Sequence, residues 1–261
     1  MECAAFQSGW FVSHIPVHAG AFDAARPGVR LGARAVPRAA RSRHLLPLSM
    51  TTSVDAGREG AAFASFFEIM QGVYNSERTY HYLDTGRREK SATTFAVRWL
   101  DSAEKKELLS ALENRGDDQK VATSERWPAQ GMEISFYTKM ESYDELVISA
   151  TQALFVPTAF DASRGVLSGI YTRSEGYEEG GLTISDFAFD VVRNELLMTT
   201  EYAKVVSVDQ ITLVNPLLRL RRILNYAKDA DTGHRTDTVL LAGFGVESKS
   251  TDGTQLVPMT K

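Results

Sequence analysis

Charged side chains interrupt a regular alternation of apolar and polar residues along residues 166–226. The charged positions there that could take part in chemistry are Arg173, Glu201, Arg219 and Arg221. The alternation predicts antiparallel strands, because successive side chains of a strand point to opposite faces of a sheet. A strand wall that carries guanidinium groups and a carboxylate could hold a large, flat, acidic ligand.

Arg219 and Arg221 are two positions apart, so a strand would place both side chains on one face. Side by side, their guanidinium groups could bind two carboxylates of one ligand through bidentate hydrogen bonds. The alternative is that this face points outward and that both arginines pair with neighbouring acids. The spacing alone leaves both interpretations open.

Arg173 precedes a predicted turn that contains Tyr177 and Glu178. In one interpretation, Arg173 binds a ligand carboxylate while a nearby glutamate contacts ligand nitrogens. In the other, these residues form a solvated hairpin. Glu201 is a second candidate carboxylate, and its alternative role is an exposed position of a sheet.

Aromatic side chains could stack on a conjugated ligand. The candidates are Trp127, Tyr177 and Tyr202. Because single aromatic residues commonly pack in a core or at a rim, packing is the alternative role for each of them.

The residue types that are scarce in the chain exclude several kinds of chemistry. Cys3 is the single cysteine and lies near the N-terminus, so a cysteine nucleophile or a thiolate metal site is not expected in the folded domain. Beyond residue 50 the histidines are His81 and His234, too few and too isolated for a zinc site. No glycine-rich phosphate-binding motif occurs.

The first 50 residues differ in composition from the rest of the chain. They contain six arginines, no lysine and two acids, which is typical of an organelle transit peptide. Small residues at positions 19–21 before Phe22 resemble the bipartite presequences of secondarily acquired plastids. We therefore expect residues 1–50 to be a disordered plastid-targeting presequence and residues 51–261 to form one domain.

Charge and hydropathy limit the partners of that domain. Residues 51–261 contain 23 basic and 31 acidic residues, a net charge of about −8, which disfavours nucleic acid as the main partner. The alternative role of the arginine-rich segment is a nucleic-acid-binding arm. No window approaches the ~18 apolar residues of a membrane-spanning helix, so we expect no membrane span.

Sequence periodicity predicts a mainly β fold with one or two helices. Residues 51–71 have the apolar stripe of an amphipathic helix, and residues 101–114 form a second helix, with Asp101 and Glu104 at capping-box spacing. The predicted strands cover residues 80–83, 93–100, 121–127, 132–140, 146–155, 165–173, 183–191, 195–202, 210–214, 218–225 and 239–247. Short strands at intervals of about ten residues favour a calycin-like or lipocalin-like antiparallel β-barrel, which can enclose one small ligand.

Short motifs occur in one order along residues 66–247. They are Phe66-Phe67 with Gly72, Ser76-Glu77-Arg78-Thr79-Tyr80-His81-Tyr82-Leu83, Val156-Pro157, Gly165-Val166-Leu167, Arg173-Ser174-Glu175-Gly176-Tyr177-Glu178, Leu196-Leu197-Met198-Thr199-Thr200-Glu201-Tyr202 and Pro216-Leu217-Leu218-Arg219-Leu220-Arg221. Each motif is short, but their shared order and spacing resemble the S-type phycobiliprotein chromophore lyases, also called the CpcS/CpeS family.

The resemblance implies a lyase with a lipocalin-like barrel and no permanently bound cofactor. Its substrate would be an open-chain tetrapyrrole, a bilin such as phycoerythrobilin, which the barrel binds noncovalently. The partner would be an apo-phycobiliprotein subunit, whose cysteine receives the bilin through a thioether bond. A domain without cysteine agrees with that scheme, because the acceptor supplies the thiol. A homodimer is a further expectation from the resemblance, and a bilin or lipid carrier without transfer activity is the alternative function.

The resemblance also implies roles for individual residues. The implied bilin-binding residues are Trp127, Arg173, Tyr177, Tyr202, Arg219 and Arg221. The implied catalytic carboxylates, which would hydrogen-bond the pyrrole nitrogens and favour the protonated bilin, are Glu178 and Glu201.

Overall fold

A computed structural model describes residues 57–114, 126–142, 146–174 and 182–252 of the chain. Its helices are α1 (Arg58–Met70) and α2 (Ser102–Glu113). Its strands are β1 (Gly72–Tyr82), β2 (Arg88–Trp99), β3 (Gln130–Met140), β4 (Leu146–Asp161), β5 (Val166–Arg173), β6 (Thr183–Asp190), β7 (Glu195–Glu201), β8 (Val205–Asn215), β9 (Leu218–Lys228) and β10 (Arg235–Lys249).

The ten strands close into one antiparallel barrel. Each strand pairs with its neighbours in sequence, and β1 also pairs with β10, from Tyr74 opposite Lys249 to Tyr82 opposite Leu241. Closure leaves no edge strand with unpaired backbone groups. The barrel with its helices confirms the fold class that the strand spacing predicts.

The apolar face of α1 packs into one end of the barrel. The side chains of Phe63, Phe66, Phe67 and Met70 are all buried, as the helical spacing of these residues requires. They join inward-facing aromatic residues of the strands; the rings of Phe63 and Phe187, for example, stack with centroids 5.5 Å apart. The helix therefore closes this end of the barrel and completes an apolar core that the strands mostly form.

Helix α2 begins at a capping box and packs on the outside of the barrel. Asp101 accepts hydrogen bonds from the backbone N–H groups of Ala103 and Glu104, at 2.8 and 2.9 Å, and the Glu104 side chain accepts one from the Asp101 N–H. The buried face of α2 contacts Leu154 and Val156 of β4. The predicted second helix and its cap are confirmed.

Several predicted boundaries differ from the structure. Strand β1 begins at Gly72, eight residues before the predicted start, while β2 and β8 begin at Arg88 and Val205, each five residues early. Strand β4 continues to Asp161, six residues beyond its predicted end. In the predicted strand 121–127, residues 126 and 127 form a turn and a bend, and the others lie outside the described residues. The predicted presequence, residues 1–50, also lies outside them.

Candidate functional site

A layer of charged side chains crosses the barrel interior between two apolar clusters. One cluster surrounds α1, and the other contains Tyr80, Tyr82, Met140, Ile223 and Leu241. The charged members are all buried because strand alternation turns them inward; they are Arg78 on β1, Arg173 on β5, Asp209 on β8, Arg219 and Arg221 on β9, and Glu247 on β10. Buried charges of this number are rare in cores, so the layer is the candidate site.

Glu247 lies at the centre of one half of the layer. Its carboxylate accepts hydrogen bonds from Arg219 Nε at 2.5 Å, Arg78 Nη2 at 3.1 Å and Ser76 Oγ at 3.4 Å. Burial alone would raise the pKa of Glu247, but the guanidinium groups of Arg219, Arg78 and Arg221 outweigh it and lower the pKa to about 2. The carboxylate is therefore ionised at neutral pH.

Arg219 joins the charged layer to the apolar core. Its guanidinium carbon lies 4.4 Å from the ring centroid of Tyr74 and 4.7 Å from that of Phe95. Its Nη1 lies 3.3 Å from the sulfur of Met70 in α1. Cation–π contacts of this kind stabilise a buried arginine where water is excluded.

Arg221 and Asp209 form the second buried ion pair of the layer. Arg221 Nε donates to Asp209 Oδ1 at 3.0 Å, and Arg221 Nη2 contacts the other carboxylate oxygen. Burial opposes the charge on Arg221, but Asp209 outweighs it, so the pKa of Arg221 is raised. Gly245 lies opposite both Arg78 and Arg221, and a Cβ there would come within 3.2 Å of Arg78 Cγ, so glycine leaves room for the two arginines.

Arg173 is the last residue of β5, and its side chain is buried in the barrel interior. Its Nη2 donates to the Tyr202 hydroxyl at 2.5 Å, and its guanidinium carbon lies 6.0 Å from the ring centroid of Tyr171. Burial raises the pKa of Tyr202 even though Arg173 opposes the shift. The Tyr171 hydroxyl is 3.1 Å from Thr200 Oγ1, to which Ser185 Oγ donates at 3.0 Å. These hydroxyl groups extend the polar layer beside Arg173.

Arginines outnumber carboxylates among the described residues of this layer. Four arginines lie there with two carboxylates, those of Asp209 and Glu247, while Glu89 is buried outside the layer. Buried charge is costly unless an opposite charge compensates it. An interior of this composition is suited to an anionic ligand.

Several buried polar atoms beside these charges have no hydrogen-bond partner among the described residues. Among them are Arg78 Nη1, Ser91 Oγ and Asn225 Oδ1. Buried polar groups in proteins nearly always have a partner in the protein, in water or in a ligand. These atoms add donors and an acceptor that a polar, heteroaromatic ligand could satisfy.

The end of the barrel opposite α1 carries a second polar group around Glu89. The Tyr82 hydroxyl donates to Glu89 at 3.1 Å, Ser142 Oγ contacts the same carboxylate, and Arg87 lies over the Tyr82 ring at 4.2 Å. Burial, together with the Glu89 charge, raises the pKa of Tyr82 to about 12. Tyr82 therefore stays protonated and remains a hydrogen-bond donor.

The structure brings together four of the residues that the sequence proposes for the site. Arg173, Tyr202, Arg219 and Arg221 all face the interior. Each interpretation of the arginine pair holds in part, because Arg219 and Arg221 point inward and each is also paired with an acid. Tyr177 and Glu178 lie outside the described residues.

Glu201 and Trp127 are placed elsewhere. Glu201 is the last residue of β7 and faces outward, between the buried side chains of Thr200 and Tyr202. Its side chain is 72% exposed and pairs with Lys228 at 3.3 Å. Its position corrects the expectation that it lies beside the arginines. Trp127 packs against the cluster around α1, and its Nε1 donates to Glu59 at 3.1 Å. It lies with the apolar core and not in the charged layer.

Sequence reasoning missed three charged members of the layer, Arg78, Asp209 and Glu247, and one further buried polar residue, Asn225. All four side chains face the interior. Strand alternation could have identified them, because each lies two positions from a buried residue of the same strand and so shares its face. Arg78 and Tyr80 on β1 are an example. Their roles depend on pairings between strands, which one sequence does not display.

The described part of the chain contains neither a candidate metal site nor a candidate membrane-spanning helix. No group of three or more His, Cys, Asp or Glu side chains there could hold a metal ion. None of the helices described is both long and apolar enough to cross a membrane.

Comparisons with known proteins agree on one family. The family model described as CpeS-like protein matches residues 62–250. Chromophore lyase CpcS/CpeS 1 of Synechococcus sp. (strain JA-3-3Ab) is 40% identical over 194 residues, which cover 72% of this chain and 97% of that protein. Chromophore lyase CpcS/CpeS 2 of Paulinella chromatophora is 26% identical over 157 residues, covering 60% and 74% respectively. The solved S-type phycobiliprotein lyase CPES from Guillardia theta has the same fold, with a TM-score of 0.53 and 16% identity over 76% of this chain and 98% of that one.

Proposed function

This chain belongs to the CpeS-like family and is a chromophore lyase, and from that premise we propose that it binds a bilin inside the barrel and attaches it to a cysteine of an apo-phycobiliprotein subunit. The observation that supports the proposal is the arginine-rich interior layer, in which four arginines lie with two carboxylates among the described residues. A bilin is a long conjugated molecule with two propionate groups, which could pair with arginines of this layer.

Arg78 and Arg173 are the arginines we assign to the propionates. Arg219 and Arg221 already form hydrogen-bonded ion pairs with Glu247 and Asp209. Arg78 also pairs with Glu247 through its Nη2, but its buried Nη1 has no hydrogen-bond partner among the described residues, and the Nη2 of Arg173 donates to the Tyr202 hydroxyl. A propionate could accept charge-assisted hydrogen bonds from these two guanidinium groups. Arg219 and Arg221 then contribute positive charge from fixed positions.

The catalytic carboxylate must belong to an acidic residue that faces the barrel interior, where the bilin would bind. Burial raises the pKa of Glu247, but the guanidinium groups of Arg219 and Arg78 lower it to about 2, so this carboxylate stays ionised and does not donate a proton. Asp209 faces the interior beside Arg221, where it could accept a hydrogen bond from a pyrrole N–H. We therefore propose Asp209 for this role, in place of Glu201 on the outer face, and Glu178 stays a candidate.

The transfer step needs a thiol from the acceptor subunit, because residues 51–261 contain no cysteine. The sulfur adds to the exocyclic double bond of the ethylidene or vinyl group on ring A. One C–S bond forms, the C=C bond becomes a single bond, and the thiol proton ends on the adjacent carbon. The lyase contributes a fixed bilin conformation and exclusion of water, which favour one orientation of addition.

The test is a titration followed by a transfer assay. The purified chain is titrated with phycoerythrobilin and then mixed with an apo-subunit, and the products are separated by denaturing electrophoresis. We expect a spectral change on binding and a coloured subunit that survives denaturation. A bound bilin that never becomes attached would instead support the carrier function. No spectral change with any bilin would reject both bilin functions.

A charge reversal tests the proposed propionate contact. Arg173→Glu replaces a buried positive charge with a negative one, so bilin binding should weaken by at least about tenfold. Arg193→Glu is the matched control, because that side chain is 74% exposed in the turn between β6 and β7. Equal affinities of the two variants would reject the assignment of Arg173.

Plastid localisation is a second part of the proposal, carried by the arginine-rich, acid-poor composition of residues 1–50. The test fuses these residues to a fluorescent protein in an alga with a plastid. Fluorescence in the plastid is the expected result, and fluorescence that stays in the cytosol would reject it.

A further inference from the structure

Glu89 is a buried carboxylate that the proposed transfer step does not use. It is turned inward at the start of β2, and its side chain is 3% exposed. Its Oε2 accepts a hydrogen bond from the Tyr82 hydroxyl at 3.1 Å and lies 3.5 Å from Nη2 of Arg87. Its Oε1 accepts a hydrogen bond from Oγ of Ser142, in the turn after β3. These three partners lie at the end of the barrel opposite α1, which we call the mouth.

The contact with Ser142 shows which kind of group can reach Glu89 from outside the barrel. Ser142 is exposed, and its –CH₂–OH group contacts Oε1 of the buried carboxylate. A cysteine side chain, –CH₂–SH, has nearly the same shape, with sulfur in place of oxygen. A cysteine of an acceptor subunit that displaced Ser142 would therefore place its thiol against the same carboxylate oxygen.

Strand register places Glu89 within reach of a bilin that is held by the buried arginines. Ser91 lies opposite Arg78, and Glu89 is the next inward residue toward the mouth, about 7 Å farther along β2. The two propionates of a bilin are on its inner rings, so ring A lies one ring farther along the molecule. A propionate bound to Arg78 would leave ring A beside Glu89.

We propose that Glu89 is a second catalytic carboxylate, the general base that removes the proton of the acceptor thiol as its sulfur adds to ring A. This role rests on the proposed function, because the thiol arrives with an acceptor subunit. Only about 3% of a thiol with an ordinary pKa of about 8.5 is ionised at pH 7. A carboxylate that takes the proton therefore accelerates the addition.

The proton that Glu89 takes is returned within the same addition. The S–H bond breaks as its proton passes to Oε1, and the C–S bond forms at the exocyclic carbon of ring A. The C=C bond becomes a single bond, and Glu89 then gives the proton to the adjacent ring carbon. Burial and the Glu89 charge raise the pKa of Tyr82 to about 12, so Tyr82 stays a donor to Oε2 and keeps the carboxylate in place.

The pH dependence of transfer tests this role. Glu89→Gln keeps an acceptor for the Tyr82 hydroxyl but cannot take a proton. Transfer of phycoerythrobilin from the full chain to an apo-subunit should slow by about a hundredfold at pH 6.5, while the dissociation constant for the bilin changes by less than about twofold. The difference from the wild type should shrink as the pH rises toward about 8.5, because the thiol then ionises without a base. A structural role alone would slow transfer equally at every pH.

The charged groups around Glu89 do not produce the same profile. The pKa of Tyr82 lies above this range, and Arg87 keeps its charge throughout. Glu141, exposed in the turn after β3, accepts a hydrogen bond from the Lys90 N–H at 3.3 Å. Glu141→Gln is therefore the matched control and should leave transfer and its pH dependence unchanged. Glu89→Asp keeps a carboxylate, so it should retain the shallow pH dependence of the wild type even where transfer is slower.

Ser142→Cys tests the geometry within one chain, because it places a thiol against Oε1 of Glu89. In a Cys3→Ser background this thiol is the single one of the full chain. We expect the bilin to become attached to the chain itself, as colour that survives denaturing electrophoresis. Glu89→Gln should slow this self-attachment by about a hundredfold at pH 6.5. Val192→Cys, at a position that is 82% exposed in the turn between β6 and β7, should stay uncoloured.

The results separate this role from the proposed function. A wild type that binds no bilin, or that never transfers it, would reject the proposed function and this role with it. Where the wild type does transfer, Glu89→Gln that matches it, or that slows transfer by one factor from pH 6 to 9, would overturn the role of Glu89 alone. A Ser142→Cys chain that binds the bilin and stays uncoloured would also overturn it.

Discussion

Glu247 shows how one residue holds several buried charges in place. Its carboxylate is fully buried and contacts two guanidinium groups from strands on either side of β10. A buried ion pair need not stabilise a protein overall, but removal of one partner leaves the others uncompensated. The stability of the layer therefore depends on the ionisation of this glutamate.

Glu247→Gln should remove a contribution to stability that depends on pH. The folded pKa of about 2 lies below the ordinary value of 4.5, so the contribution is present above about pH 4.5 and is lost as the pH falls toward 2. A shift of this size corresponds to about 3 kcal/mol at neutral pH. We expect the difference in unfolding free energy between the wild type and Glu247→Gln, from urea denaturation, to shrink across this window.

Glu107→Gln is the matched control for this measurement, because Glu107 is exposed on α2. Its effect on the unfolding free energy should be small at every pH. A difference between the wild type and Glu247→Gln that stays constant from pH 7 to about pH 3 would contradict the predicted ionisation of Glu247.

Arg78 is the arginine that the structure adds to the candidate site. Arg78→Gln removes one positive charge and the buried Nη1 donor, while Arg219 continues to neutralise Glu247. A lost hydrogen bond to a charged group costs about 1.5–3 kcal/mol, so the dissociation constant for a bilin should rise by about tenfold to a hundredfold. Absorbance titration measures it, and Arg88→Gln on the exposed side of β2 is the control. Unchanged affinity in Arg78→Gln would remove Arg78 from the site.

At the scale of elements, polar residues in the barrel interior explain why the sequence predicted strand β9 but only part of strand β1. Alternation identified β9 and the shared face of Arg219 and Arg221, because β9 also contains apolar inward residues such as Ile223. It missed the first half of β1, because Ser76 and Arg78 are polar although they face the interior. A strand whose inward positions are polar has the composition of a loop.

The partners of the charged residues could not be predicted in the same way. Arg78 and Glu247 are 169 positions apart, and they meet only because β1 and β10 close the barrel. The alternation of residues within one strand contains no information on such a contact, since the pairing depends on how the barrel closes and on the register between the two strands. Arg221 and Asp209, 12 positions apart on neighbouring strands, could be paired only once the register of β8 and β9 was known.

The cap of α2 could be predicted fully because it is local, and its contribution is measurable. Asp101→Ala removes the hydrogen bonds to the N–H groups of Ala103 and Glu104, which should cost about 1 kcal/mol of unfolding free energy. Asp101→Asn keeps a side-chain acceptor and should cost much less. Chemical denaturation compares the two variants. Equal stabilities would show that the packing of α2 on β4, and not its cap, determines whether the helix forms.

At the scale of the whole molecule, the barrel arranges three layers along its axis. The cluster around α1 closes one end, the charged layer follows, and the cluster that contains Tyr80 and Tyr82 lies at the other end. A ligand that reaches the charges is therefore expected to enter from the end opposite α1. Its carboxylates would lie among the arginines, and its rings would contact the apolar clusters on either side.

This arrangement predicts that ligand charge, as well as ligand shape, controls binding. A bilin that binds only the folded barrel raises its stability by RT ln(1 + [L]/Kd), about 2.7 kcal/mol at a hundredfold excess over Kd. The dimethyl ester of the same bilin keeps the conjugated rings but loses both negative charges, so it cannot form charge-assisted hydrogen bonds to the buried arginines. We expect the ester to need at least about a tenfold higher concentration for the same rise in unfolding temperature. Thermal unfolding at a series of concentrations measures both ligands, and in Arg78→Gln the gap between them should narrow. If the diacid and its ester stabilised the wild type equally, the buried arginines would serve the fold alone, and the bilin would have to be recognised through its rings.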